Sequence, residues 1–370
     1  MSFSLDSIRS LPLAQKIGQL FFIGIPGPEL DETTKKITDE ISPGGVCLFA
    51  RNIKTPMQTR DLLDGLRGSL PVEPFLSVDQ EGGLVDRLKR IISAMPAANK
   101  IRTKNEAERM GSLIAEALCI LGFNMNFAPV VDVIDSHRTQ VSNGLFSRAF
   151  GCSAQETVEL AGSFLIALQN GGCLGCLKHF PGLGASKVDS HEELPKVDIS
   201  STVLESVDLY PYKRLLASAT PASVMVAHAC YPDIDLQEKD QNGKLLPSSL
   251  SKNVVSGLLR NDLGFDGLTI TDDLEMGAII KTYGIGEACK MAVNAGVDML
   301  SICAGVDSIY QGFAAVNAAV ANDEITEARL DESLRRIAAA KSKLSKPPVF
   351  DPFRLESLSD DIAEINARLN

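Results

Sequence analysis

A chain of 370 residues, 45% of them hydrophobic, can bury a sizeable core in one large domain or two smaller ones. Its formal net charge of −11 argues against nucleic acid or an anionic membrane surface as a general partner, though a small ligand can still bind a local pocket of opposite sign. Eight cysteines in a chain this long do not form a disulfide framework.

The first residues, Met1 to Arg9, lack the basic start and long apolar stretch of a signal peptide. The run Leu20–Ile25 is too short to span a bilayer and ends at Gly24-Ile25-Pro26-Gly27. These features predict a soluble, cytoplasmic protein without a membrane partner. Short apolar runs then recur at Leu20–Ile25, Gly45–Phe49, Phe75–Val78, Asn124–Ala128, Leu174–Leu177, Ser223–Ala227, Leu268–Thr271 and Met299–Cys303. Between them lie helix-like stretches such as Glu106–Leu121, Ala154–Asn170, Val203–Ala219, Lys252–Asp262 and Gly286–Ala295. Strands alternating with helices in this number predict an α/β fold, a single (β/α)8 TIM-barrel-like domain with a C-terminal helical extension. An open doubly wound sheet has the same periodicity, but no Gly-x-Gly-x-x-Gly turn follows the first strand. From Ile325 the chain reads as a helix and then, past Pro347-Pro348, as an irregular segment. The expected division is residues 1–345 as the barrel and 346–370 as a tail.

Polar residues stand where a barrel would use them. Asp79 follows the third strand, Asp132 the fourth, Lys178 and His179 the fifth, His228 the sixth and Asp272 the seventh. In a barrel these ends converge on one face, the face that carries active sites. The stretch from Lys178 to His191 is the richest. It places two of the chain's four histidines beside a lysine and Asp189, in a loop punctuated by proline and glycine. Asp189 and His191 are two residues apart, so the carboxylate can hold one imidazole nitrogen while the other meets a reacting group. Just upstream, Cys173 and Cys176 make a Cys-x-x-Cys spacing. On a strand they point to opposite faces, and no second pair completes a zinc site, so they read as buried thiols.

The seventh strand ends in the pair Asp272-Asp273. One carboxylate at a barrel mouth, facing a histidine–aspartate pair, supplies a nucleophile and a proton donor on separate elements, as retaining glycosidases require. Asp273 reads instead as a helix cap with a first-turn acid.

Taken in order, the motifs Val78-Asp79-Gln80-Glu81-Gly82-Gly83 with Arg87, Asn126-Phe127-Ala128-Pro129-Val130-Val131-Asp132, Ser147-Arg148-Ala149-Phe150-Gly151, Lys178-His179-Phe180-Pro181-Gly182, Asp189-Ser190-His191 with Pro195, and Thr271-Asp272-Asp273-Leu274 resemble glycoside hydrolase family 3. The likeness is to its single-domain β-N-acetylglucosaminidase branch and runs from Ala14 to about Ala340. It implies Asp272 as the catalytic nucleophile, His191 as the acid/base and Asp189 as its partner. It implies Asp79, Arg87, Arg148, Lys178 and His179 as holders of the sugar hydroxyls. Asp132 reads either as a tie for loop backbone or as part of the site, His228 as a packed strand-end residue, and Glu81 and Asp86 as loop residues that support the site's side chains rather than acids in the chemistry. Leu84, Leu183 and Ser147 depart from the family pattern, where arginine, histidine and aspartate are common. The resemblance implies a saccharide ligand, specifically a peptidoglycan fragment carrying N-acetylglucosamine on anhydro-N-acetylmuramic acid, and no cofactor or metal. A β-N-acetylglucosaminide phosphorylase and a β-glucosidase or xylosidase of the same family are the alternatives.

Overall fold

The computed structural model describes residues 5–139, 144–187 and 194–369. Eight strands close into a parallel barrel: β1 (Phe21–Gly24), β2 (Gly45–Leu48), β3 (Phe75–Val78), β4 (Met125–Asn126), β5 (Leu174–Phe180), β6 (Ser223–Val226), β7 (Leu268–Asp273) and β8 (Met299–Ile302). β1 pairs with both β2 and β8, which shuts the ring. The sequence placed all eight strands, with two changes at the mouth. β5 continues through Lys178 and His179, which the sequence assigned to a loop. Pairing sustains it, because Ala227 N–H donates to Phe180 O at 2.8 Å and Val131 N–H to Lys178 O at 2.8 Å. β7 likewise runs through the Asp272-Asp273 pair.

Each strand is followed by a helix, and the caps show why these segments stop and start. The helix Lys104–Leu121 opens with Thr103 accepting from Glu106 N–H while the Glu106 side chain accepts from Thr103 N–H, a reciprocal capping box. It ends at Gly122, whose φ of 99° suits a residue without Cβ. The barrel interior is filled from below. Phe22 lies 5.9 Å from the Phe75 ring and 5.2 Å edge-on from Phe127. Gly45 makes room for it, since a Cβ there would meet the Phe22 ring at 2.4 Å. This aromatic floor leaves the mouth as the open end. Among the described residues no helix is long and apolar enough to cross a membrane.

The segment after Pro348 is a correction. An 18-residue helix, Pro352–Leu369, follows the short irregular stretch and buries Leu355, Leu358 and Ile362.

Lys341, at the end of the helix Glu327–Lys341, is fully buried under the barrel. Its ammonium donates to Gln19 Oε1 at 2.8 Å and lies 5.3 Å from the Phe75 ring centre. Burial pulls its pKa from 10.5 down to about 7. The unfolded chain therefore takes up a proton near pH 10.5 that the fold refuses until about pH 7. This amine lowers stability as pH falls through that window, and the full loss is felt below it. Lys341→Met is expected to raise stability at pH 7 by ~1–3 kcal/mol, a gain that shrinks toward pH 10. Denaturant unfolding at the two pH values checks both parts.

Candidate active site

At the C-terminal ends of the strands lies a cavity of about 220 Å³ lined by Asp79, Glu81, Arg87, Arg148, Lys178, His179, Asp272 and Asp273, with Phe49, Phe127, Met225 and Met276 among its apolar walls. Pockets for drug-sized ligands hold roughly 300–1,000 Å³, so this one suits a single small unit. It collects Asp272 and all five positions that the sequence nominated for the sugar hydroxyls. Asp189 and His191 fall at 188–193 and lie outside the described residues.

Construction starts at the end of β3. Asn126 on β4 accepts from Gln80 N–H and donates to Gln80 O, both at 2.9 Å, fixing the backbone just after Asp79. The chain then folds into a two-stranded hairpin, Gln80–Gly82 against Val85–Asp86. Gln80 Oε1 accepts from the N–H groups of Arg87 and Leu88. Asp86 accepts from Gln80 Nε2 at 2.8 Å, Leu88 N–H at 3.1 Å and Met95 N–H at 2.7 Å. Asp86 is thus a loop organiser, as its sequence position suggested. Leu84 sits exposed at the hairpin turn and Leu183 lines the cavity, so only the second of these departures shapes its wall.

Glu81 supports the site from behind, as its sequence position suggested, and the structure supplies its partners. It is buried and grips Arg148 with both oxygens, at 2.8 and 2.9 Å, while its Oε1 lies 2.6 Å from the Lys178 ammonium. Lys178 also donates to Asp79 at 2.6 Å. The result is a chain of alternating charge, Asp79–Lys178–Glu81–Arg148, across one side of the cavity. Burial alone would raise the Glu81 pKa, but Lys178 and Arg148 overcome it and bring the group down to about 2. The same contacts hold Lys178 and Arg148 above their ordinary values against burial. Glu81→Gln keeps the shape and removes the shared counter-charge. The expected outcome is a ~10–100-fold loss of kcat/KM together with ~3–5 kcal/mol of stability, because two buried cations lose their common partner. Kinetics and thermal unfolding of that one variant read both.

His179 is oriented by Asp132, whose Oδ2 lies 2.7 Å from Nδ1. A carboxylate oxygen accepts, so Nδ1 donates in this pair. Asp132 Oδ1 also accepts from Leu183 N–H at 2.6 Å. It therefore does both things proposed for it: it ties loop backbone and positions a lining residue. The loop below is anchored by a buried pair, Arg138 and Asp208, at 2.7 and 2.9 Å.

Asp272 and Asp273 are adjacent but chemically separated. Burial works to raise the Asp272 pKa, and is outweighed by the His179 ring, the Asp273 N–H bonded at 2.8 Å, and Lys178; the net shift is downward. Asp273 moves the other way, to about 7, chiefly through burial, with Glu275 and Asp272 adding repulsion. Neighbouring carboxylates pushed apart in this way are a mark of acid–base sites. Asp273 is not the helix cap the sequence suggested. Its Oδ1 accepts from Glu275 N–H at 3.0 Å in a tight turn, and Met276 precedes the next helix, Gly277–Tyr283. His228 is packed at the strand end and fully buried. Nε2 donates to Asp273 O at 3.0 Å and Nδ1 accepts from Ser249 Oγ at 2.7 Å, the pattern of a neutral ring; burial lowers its pKa accordingly. The eight cysteines are free thiols, with Cys173 and Cys176 buried.

A closed parallel barrel with an ionised carboxylate facing a fan of hydrogen-bonding charges at its mouth defines the class of barrel enzymes acting on small polar substrates. The chain belongs to glycosyl hydrolase family 3: residues 12–340 match the N-terminal domain of that family. It is 31% identical over 344 residues to Beta-hexosaminidase A of Pseudoalteromonas piscicida, a match spanning 86% of this chain and 55% of that protein. It is 33% identical over 285 residues to a Beta-hexosaminidase of Pseudomonas aeruginosa, covering 76% of this chain and 81% of the relative. Among solved structures, a family 3 β-N-acetylglucosaminidase from Paenibacillus sp. superimposes with a TM-score of 0.86 at 32% identity, over 96% of this chain and 69% of the other.

Proposed function

We propose that this chain is an exo-acting, retaining β-N-acetylglucosaminidase. Asp272 attacks the anomeric carbon of a terminal N-acetylglucosamine, and the bond from that carbon to the leaving oxygen breaks as His191 protonates the oxygen. In the second step His191 takes a proton from water, whose oxygen displaces Asp272 and restores the β configuration. Asp189 holds the His191 ring. Asp79, Arg87, Arg148, Lys178 and His179 fix the sugar hydroxyls, and Glu81 holds two of those cations in place. A neutral polyol suits such a wall, because alternating charges offer donors and acceptors without a net field that would select an ion. The substrate is a cytoplasmic peptidoglycan fragment, N-acetylglucosamine on anhydro-N-acetylmuramic acid.

The observation that carries this reading is the ionised Asp272 facing the Asp79–Lys178–Glu81–Arg148 chain across a cavity the size of one sugar ring. The hexosaminidase names of the relatives support the choice of sugar. The test is turnover of aryl β-N-acetylglucosaminide against aryl β-glucoside, with and without phosphate. Release from the first alone, independent of phosphate, is expected. Preference for the glucoside would refute the sugar assignment, and phosphate-dependent formation of sugar 1-phosphate would make the protein a phosphorylase.

A further inference from the structure

The family domain ends at residue 340, yet the helix Pro352–Leu369 reaches the loop that leaves the hairpin presenting Asp79, Glu81 and Arg87. It is seated by Leu355, Leu358 and Ile362 and by Arg354, which grips Glu116 at 2.6 and 2.8 Å on the helix Lys104–Leu121. Two further contacts go elsewhere. Ser359 Oγ accepts from Ser93 N–H at 3.1 Å, and Asn366 Nδ2 donates to Ala94 O at 2.7 Å. Both land on the backbone of the loop that leaves the hairpin. The next residue, Met95, is the one that fastens this loop to the hairpin: its N–H donates to Asp86 at 2.7 Å and its carbonyl accepts from Gly83 N–H at 3.0 Å. The hairpin is pressed close enough to this loop that a Cβ on Gly82 would meet Pro96 O at 2.2 Å. At its two ends it carries Asp79 and Arg87, with Glu81 between.

We propose that the C-terminal helix is a positioning element of the active site, acting through Ser359 and Asn366 on Ser93 and Ala94, and from there through Met95 on the hairpin that presents Asp79, Glu81 and Arg87. The inference rests on the sugar-binding reading for its kinetic consequence, but its mechanical part does not. A helix that fixes the far end of a loop removes loop conformations that would otherwise have to be lost on binding, so it lowers KM more than it raises kcat.

The experiment uses the full chain with Ser359→Ala and Asn366→Ala combined, which leaves the apolar seat and Arg354 intact. Amide exchange at Gly83, Leu88 and Met95 is expected to quicken, and KM for an aryl β-N-acetylglucosaminide to rise ~3–10-fold with kcat within about twofold. Ser359→Thr, which keeps the hydroxyl, with Asn366 unchanged should restore both. Arg354→Ala is the contrast: it weakens the helix on its other neighbour, lowering the unfolding temperature with little change in KM. Unchanged exchange in the double variant would overturn the proposal whatever the enzyme does. So would an equal rise of KM in Arg354→Ala, which would reduce the effect to general stability. An unmodified protein that turns over no aryl glycoside would instead remove the functional reading, and the exchange result would still decide the brace.

Discussion

An Asp272→Ala enzyme should lose turnover of a β-N-acetylglucosaminide by about 10⁴-fold or more while unfolding at nearly the temperature of the unmodified protein. The two halves of that expectation have different origins. The kinetic loss is large because no other carboxylate among the described residues is poised to take over the attack. Asp273 is the nearest, but its group is held up to about 7 and its Oδ1 is engaged by Glu275 N–H. Asp79 and Glu81 are tied to Lys178. The structural loss is small because Asp272 accepts from its neighbour's N–H and otherwise meets charge across a cavity. Removing a buried anion does leave His179 and Lys178 with less compensation, so a modest decrease in stability is allowed and a collapse is not. A small anion such as azide, entering the space vacated, should restore release of an aryl group and yield the inverted glycosyl adduct. An Asp272→Ala protein retaining near-normal rate would end the covalent mechanism.

The barrel was legible because its strands are short apolar runs and its helices carry caps, both local signals. Where the reading slipped, the deciding interaction was not local. β5 continues past Leu177 although its side chains turn polar, because backbone pairing on both flanks does not depend on what the side chains are. Glu81 reads correctly as a supporting loop residue, but its partners were not legible. Its meaning comes from Arg148, 67 residues away in the chain, and from Lys178 on another strand. Asp273 looks like a cap because an acid before a helix usually is one; here the helix starts later, and the carboxylate closes a tight turn instead. The C-terminal helix had a readable signal that the prolines at 347 and 348 obscured. Leu355, Leu358, Ile362 and Ile365 recur at three- and four-residue spacing, and Pro352 stands at the first helical position, where proline is favoured.

The charge arrangement also explains why the site's parts cannot be exchanged singly. Lys178 bridges Asp79 and Glu81, and Glu81 in turn holds Arg148, so Asp79, Lys178 and Arg148 are both candidates for a sugar contact and parts of a network that keeps the others in place. Truncating any one therefore changes the positions of the rest, and single-variant losses will exceed the value of the contact removed. Double-variant cycles across Glu81 and Arg148 should show coupling, whereas Arg87, which belongs to the hairpin but not to this chain of ion pairs, should behave more independently.

His191 is expected to show its role through the leaving group. A natural aglycone departs as a poorly stabilised alkoxide unless its oxygen is protonated as the bond breaks, whereas an activated phenol departs unaided. His191→Ala should therefore slow hydrolysis of a sugar–sugar bond by ~10²–10⁴-fold and that of a nitrophenyl glycoside far less in the bond-breaking step. Asp189→Asn should reproduce the pattern more weakly, because it leaves the imidazole in place but misdirects its proton. The connection that carries both residues follows β5 directly and lies between Pro181 and Pro195, longer than the few residues usual between strand and helix. His228 offers no substitute, since both of its nitrogens are already engaged, by Ser249 and by the Asp273 carbonyl. Equal slowing of both substrate types by His191→Ala would assign the proton transfer to another group. Asp273, pushed up to about 7 by burial beside Asp272, would then be the first to replace, by Asn, in the same pair of assays.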